Sequence, residues 1–230
     1  VTPTARRRLA PEVRRRQVLD AAIAVFSEEG LHGASMDAIA ARAGVSKPLV
    51  YAHGGTKDEL FAACLAREAE RLASAMTAAV GSGDPTAGDD GEARLSRALR
   101  AFFQAVTTHR QGWTVLYRQA STGEFAGPVD AARRRIVRRA AELLAPELGG
   151  SVAAAEPVAH TLVGAAEGLT DWWLGRGADE SGHVDGDPAV VLADMLTALV
   201  WPGLGALRQA AAAAPDTPSI AAYGVVSGES

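Results

Sequence analysis

Ala34-Ser-Met-Asp-Ala-Ile-Ala-Ala-Arg-Ala-Gly-Val-Ser-Lys-Pro-Leu-Val-Tyr51 divides into two short helices joined by a tight turn. The first carries apolar Met36, Ile39, Ala40 and Ala43 at helical spacing. Gly44 supplies the turn. The second opens at Ser46, a good N-cap, with Pro48 in its first turn, where a missing N–H costs nothing. This is the layout of a helix-turn-helix, whose second helix enters the DNA major groove. Of 23 basic residues only two are lysines, Lys47 and Lys57, and both fall in or just after this unit.

Working outward, Leu19, Ala22, Ile23 and Phe26 mark one buried face of a preceding helix that starts near Pro11 and closes at Gly30. Thr56-Lys-Asp-Glu59 is a capping-box pattern opening a fourth helix, which carries Leu60, Phe61, Cys64, Leu65 and Leu72 and runs to about Val80. Residues 14 to 65, through Leu19-Asp-Ala-Ala, Phe26-Ser-Glu-Glu-Gly30, Ile39-Ala-Ala-Arg-Ala-Gly-Val-Ser46, Leu49-Val-Tyr51 and Lys57-Asp-Glu-Leu60, resemble the N-terminal domain of the TetR family of bacterial transcriptional regulators.

Composition sets the rest of the frame. The 230 residues are 48% hydrophobic, alanine is about one residue in five and β-branched residues are sparse. This favours an all-α fold with ample core. Residues 1–60 carry a net charge of +2 and the remainder −6. A modest basic end on an acidic body suits DNA contact through one small face and excludes a polycation that coats nucleic acid. Cys64 is the single cysteine, so no disulfide or thiolate zinc site forms within one chain; it reads as a small core residue, with a redox sensor as the alternative. No uninterrupted apolar run reaches about 18 residues and the basic start leads into no signal-like core, so the expectation is a cytoplasmic protein with no membrane partner.

Residues 1–10 read as a flexible basic arm, 11–60 as the helix-turn-helix domain, 61–214 as a helical body and 215–230 as a disordered tail. Within the body, a loop at 81–91 precedes a helix bearing Leu95, Leu99, Phe102, Phe103 and Val106. Further helices are expected over about 113–121, 128–144 and 151–174, making about nine in all. The last begins near Pro188 and is densely apolar, and Pro202-Gly203 should kink or end it.

The DNA-facing candidates are Ser35, Ser46, Lys47, Pro48, Leu49, Tyr51, His53 and Lys57. Ser35 and Lys57 stand at helix starts, where backbone N–H groups and the side chain can meet a phosphate. The resemblance implies DNA contact at Ser35, Lys47, Tyr51, His53 and Lys57, with Lys47 suited to a guanine edge. The alternatives are that Ser35 and Ser46 only cap helices, that Tyr51 is half core and that His53 is merely exposed. Arg6, Arg7 and Arg8 either reach a neighbouring groove or form a solvated tail. Where the family usually has a large aromatic after Tyr51-Ala-His53, this chain has Gly54-Gly55. That departure predicts a loosened joint, which Gly54→Phe should stiffen and stabilise.

Arg133, Arg134, Arg135, Arg138 and Arg139 read as a solvated face paired with acids such as Asp130 and Glu142, with a second nucleic-acid surface as the alternative. No phosphate loop, nucleophile elbow or metal-spaced histidine pair is present, so neither an enzyme nor a cofactor is expected. Phe102, Phe103, His109, Trp113, Leu116 and Tyr117, with Trp172, are candidates to line an apolar cavity for a small-molecule effector. The resemblance implies such an effector, and a homodimer through the last two long helices. Candidate interface residues are Leu162, Gly164, Ala165, Gly168, Leu169, Met195, Leu196 and Leu199. The leading expectation is thus a dimeric repressor released from a near-palindromic operator by a small apolar ligand. A ligand-independent DNA-binding protein and a DNA-binding module fused to an unrecognised enzyme are the alternatives.

Overall fold

The computed structural model describes residues 10–81, 90–117, 126–149, 151–175 and 186–213. Among them there are nine α-helices and no strand: α1 (Pro11–Gly33), α2 (Met36–Ala43), α3 (Lys47–Gly54), α4 (Lys57–Gly81), α5 (Gly91–Thr108), α6 (Arg110–Tyr117), α7 (Ala126–Leu144), α8 (Val152–Gly175) and α9 (Pro188–Ala213). One 3-10 turn, Ala145–Leu148, follows α7. The expected arm at Arg6, Arg7 and Arg8 and the expected tail at 215–230 lie outside the described residues.

The chain divides into two compact units, Val1–Ala69 with His109–Ala132, and Glu70–Thr108 with Arg133–Ser230. In the first, α1 packs on α2, α3 and α6, and α2 packs on α3. Its core joins Val18, Ala22 and Phe26 of α1 to Ile39 of α2, Val50 of α3, Leu60, Phe61, Cys64 and Leu65 of α4, and Trp113 of α6. Phe26 and Phe61 meet edge to face, ring centres 5.1 Å apart. That geometry sets the positive ring edge of one against the negative face of the other. Helix α6 falls in this first unit and starts at Arg110, ahead of the expected Trp113.

Helix ends follow local chemistry. At Gly30 the backbone turns to φ 73°, ψ 169°, breaking α1 where its end was expected, and one further turn reaches Gly33. Ser35 caps α2, its hydroxyl accepting from the Ala38 N–H at 3.0 Å. Gly44 adopts φ 62°, ψ 36°; its N–H donates to the Ala41 carbonyl and the Val45 N–H to that of Ala40. This left-handed cap fits glycine because no Cβ meets the carbonyl. The Thr56–Glu59 capping box forms in both directions: Thr56 N–H to Glu59 Oε2 at 2.8 Å, and Glu59 N–H to Thr56 Oγ1 at 3.2 Å.

In the second unit α5 packs along α9, and the 3-10 turn packs on α8 and α9. Leu95, Leu99, Phe102, Phe103 and Val106 all turn inward, as their spacing predicts. Helix α9 does not end at Pro202 but continues to Ala213. Beyond the proline, buried Leu204 and the bond from Arg208 to Glu147 anchor it and compensate for the lost backbone hydrogen bond.

Residues Pro188–Gln209 reach a mean hydropathy of 1.7, long and apolar enough by composition to cross a membrane. This corrects the expectation that no segment qualifies: counting uninterrupted runs stops at each polar residue, while the mean over an 18-residue window does not. Asp194 within it pairs with Arg100 of α5 at 2.7 Å, and buried Thr197 donates its hydroxyl to the Ala193 carbonyl.

Candidate nucleic-acid interface

Helix α3 is held by one buried side chain, Val50, with Leu49 half-buried beside it. The same register turns Lys47, Pro48, Tyr51 and Ala52 outward. Tyr51 is 47% exposed, a large aromatic standing free on the face that a recognition helix offers to a groove. Ser46 occupies the N-cap position of α3, yet its hydroxyl makes no capping bond. The two candidate serines thus differ: the Ser35 hydroxyl is committed to α2, while that of Ser46 remains exposed.

The two lysines separate in the same way. The Lys47 ammonium sits on the exposed surface, 2.8 Å from Asp37 Oδ2 of α2. The carboxylate's hydrogen bond, and then its charge, raise the Lys47 pKa above the ordinary lysine value. Lys57 instead donates inward, to the carbonyls of Leu31 (2.9 Å) and Ala34 (3.2 Å). It ties the start of α4 to the chain leaving α1, so its ammonium positions the helix-turn-helix. The Lys57 backbone remains at the N-terminus of α4, where a phosphate would meet free N–H groups.

Further ties missed by the sequence reading hold the frame. Arg15 donates to the His53 carbonyl at 3.0 Å, fixing the end of α3 while the His53 ring stays half-buried. Gln17 donates to the Ala43 carbonyl at 2.6 Å, satisfying the end of α2. Arg42 grips Glu28 with two bonds of 3.0 and 2.6 Å, and this bidentate contact lowers the Glu28 pKa. The run Arg14-Arg15-Arg16 signalled basic character on α1, but only the folded register shows which arginine reaches α3. Cys64 is fully buried, and desolvation pushes its thiol up to about 12, which makes it an inert core residue.

The Gly54-Gly55 joint is tighter than expected. Fully buried Leu60 fills the space beside Gly54: a Cβ there would lie 2.8 Å from Leu60 Cδ1. Gly55 adopts φ 71°, ψ −148°, a region essentially reserved for glycine, and its N–H donates to the Tyr51 carbonyl at 2.9 Å. An aromatic at this position would have to displace the Leu60 side chain, which argues against the expected gain from Gly54→Phe.

The candidate effector residues fall in both units. Phe102 and Phe103 are buried in the second unit, edge to face at 5.2 Å, while Trp113 is buried in the first and His109 is exposed. The side chains of Leu116 and Tyr117 lie outside the described residues. Trp172 is 49% exposed on α8, in line with exposed Ala165 and Gly168 at spacings of three and four. A cavity of about 40 Å³ does exist in the second unit, lined by Met76, Leu95, Leu99, Ala140, Leu144 and Leu162 among others. Of the candidate interface residues, Leu162 and Leu196 are buried in their own chain, and Gly164 and Leu169 are half-buried. Met195 and Leu199 are 43% and 71% exposed. Arg133 of the arginine run is held by Glu167, Arg135 by Glu70, and Arg138 and Arg139 by Glu142, so these four are engaged with acids.

Comparison with known proteins agrees with this geometry. Residues 18–64 match the family described as bacterial regulatory proteins, tetR family, and residues 92–202 match the tetracyclin repressor-like C-terminal domain. The chain is 32% identical over 183 residues to the HTH-type transcriptional activator FasR of Mycolicibacterium smegmatis, covering 78% of this chain and 81% of that protein. It is 37% identical over 89 residues to the HTH-type transcriptional repressor SCO4008 of Streptomyces coelicolor, covering 39% and 42% of the two chains. A TetR-like transcriptional regulator from Rhodococcus sp. RHA1 aligns with TM-score 0.63 and 43% identity over 86% of this chain and 99% of that one. The fold is shared with FadR of Bacillus subtilis, solved with stearoyl-CoA, at TM-score 0.66 and 15% identity over 80% and 96%. With a helix-turn-helix presenting Lys47 and Tyr51 at its head and both family domains matched in order, the chain belongs to the TetR family of DNA-binding transcriptional regulators.

Proposed function

We propose that the protein is a homodimeric, effector-released repressor that binds a near-palindromic operator in the cytoplasm, and that it is not an enzyme. The observation that carries the DNA half is the outward face of α3, Lys47, Pro48 and Tyr51, beside the uncommitted Ser46 hydroxyl. Lys47 and Tyr51 would read base edges, while Ser46 and the N-termini of α2 and α4 would hold phosphates.

Dimerisation is supported by two exposed stripes. Val191, Met195 and Leu199 recur at four-residue spacing on α9; Ala165, Gly168 and Trp172 form the second on α8. A second copy covering both would remove a large apolar face from water and set two recognition helices one helical turn of DNA apart. The effector is proposed to be apolar and chain-like. The shared fold of a regulator solved with stearoyl-CoA supports this. Effector and operator would each favour a different spacing of the heads, so each weakens the other by linkage.

Activation is a specific second reading, because FasR carries that name while SCO4008 is named a repressor. The test is selection of bound sequences from a random duplex library, then a mobility-shift titration at two salt concentrations. We expect an enriched inverted repeat whose affinity falls steeply with salt. If no inverted repeat is enriched, the reading fails. Transcription of a reporter with that repeat at different promoter positions separates repression from activation.

A further inference from the structure

Residues 35–55, the helix-turn-helix proper, contain two Lys or Arg side chains, Arg42 and Lys47. Each is bonded to a carboxylate of its own unit. Arg42 holds Glu28 of α1 through two bonds of 3.0 and 2.6 Å. Lys47 donates to Asp37 Oδ2 of α2 at 2.8 Å. Among the described residues, α2 and α3 thus present no Lys or Arg charge without a carboxylate beside it, on a unit that has to meet a polyanion.

The Lys47–Asp37 pair lies on the reading face itself. Lys47 and Tyr51 stand one turn apart on the outward side of α3. Asp37 stands in the first turn of α2, beside the helix start at which a phosphate would be held. The side chains of Lys47 and Asp37 are 47% and 70% exposed. An ion pair so open to water and salt is weak, so a better acceptor can take the ammonium from Asp37.

What counts as a better acceptor differs between backbone and base. The pair is neutral as a unit, so it adds little to the sequence-independent attraction between cations and phosphates. A lysine that leaves Asp37 for a phosphate also leaves a bare carboxylate facing the same backbone, and like charges repel. A guanine edge offers two acceptors, O6 and N7, whose position replaces the lost bond.

Resting on the reading of Lys47 as a base-reading residue, we propose that Asp37 is a specificity-determining residue acting through Lys47: its carboxylate withholds the ammonium from phosphates and yields it to a matching base edge. Asp37 lowers affinity for all DNA, and lowers it most where the operator sequence is absent. Specificity here comes from a penalty on the wrong partner.

The test uses the full chain, the selected inverted repeat and a scrambled duplex of the same length and composition, titrated at several salt concentrations. Asp37→Asn keeps the shape and removes the charge. It should tighten binding to the scrambled duplex by about threefold or more, and steepen the log–log salt dependence of that binding by about one. Affinity for the inverted repeat should rise less, so the ratio of the two affinities falls by about twofold or more. In a Lys47→Met background the same substitution should leave the ratio within about 1.5-fold of that of Lys47→Met alone, because the group it acts through is gone. Should Asp37→Asn lose helical circular dichroism, Asp37→Gln, a better helix former, carries the same expectations.

An unchanged or higher ratio in Asp37→Asn overturns the proposal. So does an equal fall in the Lys47→Met background, which would make Asp37 a plain surface charge or a reader of bases in its own right. A Lys47→Met variant that keeps the full ratio overturns it too. If the inverted repeat is bound while these effects fail, this inference falls and the regulator reading stands; if the unmodified protein enriches no repeat, both fall.

Discussion

Gly54 shows how a single missing side chain can be read two ways. In sequence it resembles a lost anchor; in the fold its bareness is what admits Leu60, which is fully buried. A Phe at this position must displace Leu60 from the core or push α3 away from α4. We expect Gly54→Phe to lower the melting temperature by several degrees, in line with overpacking costs of about 1–3 kcal/mol. A higher melting temperature by differential scanning calorimetry would restore the void that the sequence implied. The two lysines make a matched pair of predictions. Lys47→Ala should leave the melting temperature unchanged and weaken operator binding, because its ammonium is exposed and bonded only to Asp37 among the described groups. Lys57→Met should lower the melting temperature, since it strips a charged donor from the carbonyls of Leu31 and Ala34, a loss of about 1–3 kcal/mol. Equal thermal effects in the two variants would refute this division of roles.

Among the elements, α4 is set by its first turn. The Thr56–Glu59 box satisfies N–H groups that the helix cannot pair internally. Thr56→Ala should cost about 1 kcal/mol at neutral pH, measured by urea denaturation. Glu59 adds a pH dependence whose sign is fixed. Its folded pKa is lowered, chiefly by the backbone hydrogen bond from Thr56. Its contribution is therefore present above the unfolded glutamate value of about 4.3 and is lost as pH falls through the folded value. The stability gap between wild type and a Thr56→Ala, Glu59→Gln double variant should narrow on acidification; a gap that widens would contradict the box. Helix α9 carries a different lesson. Its composition alone satisfies a membrane-span test, yet Asp194 on Arg100 and Glu147 on Arg208 give it specific polar partners within its own unit. Its exposed apolar stripe is the face that the proposed dimer would cover.

For the whole molecule, that stripe is the feature on which assembly turns. Leu199 is 71% exposed, more than any other large apolar residue described. In a monomer Leu199→Glu would be neutral, since the site already faces water. In the proposed dimer it would place two unpaired carboxylates at the seam, a cost of several kcal/mol. We expect sedimentation to shift from dimer to monomer and operator affinity to fall by about two orders of magnitude, as the two heads lose their shared geometry. An unchanged sedimentation coefficient would place the dimer elsewhere.

Local chemistry made much of this legible in sequence. Gly44, the Ser35 cap, the Thr56–Glu59 box and the burial of Leu19, Ile23, Phe26, Ile39 and Leu60 depend on residues a few positions apart, so periodicity and capping rules reach them. The family and its DNA-binding role follow, because the recognition unit is local and nearly contiguous. Only the tertiary structure decided where Lys57 donates, that Leu60 fills the place beside Gly54, that α6 joins the first unit, and that Glu147 meets two arginines from distant helices. Each of these is a choice among partners 6 to 61 positions apart. Sequence names the groups available for such pairings; the packing of helix against helix selects among them, because only packing fixes which groups lie within bonding distance and which are shut away from water.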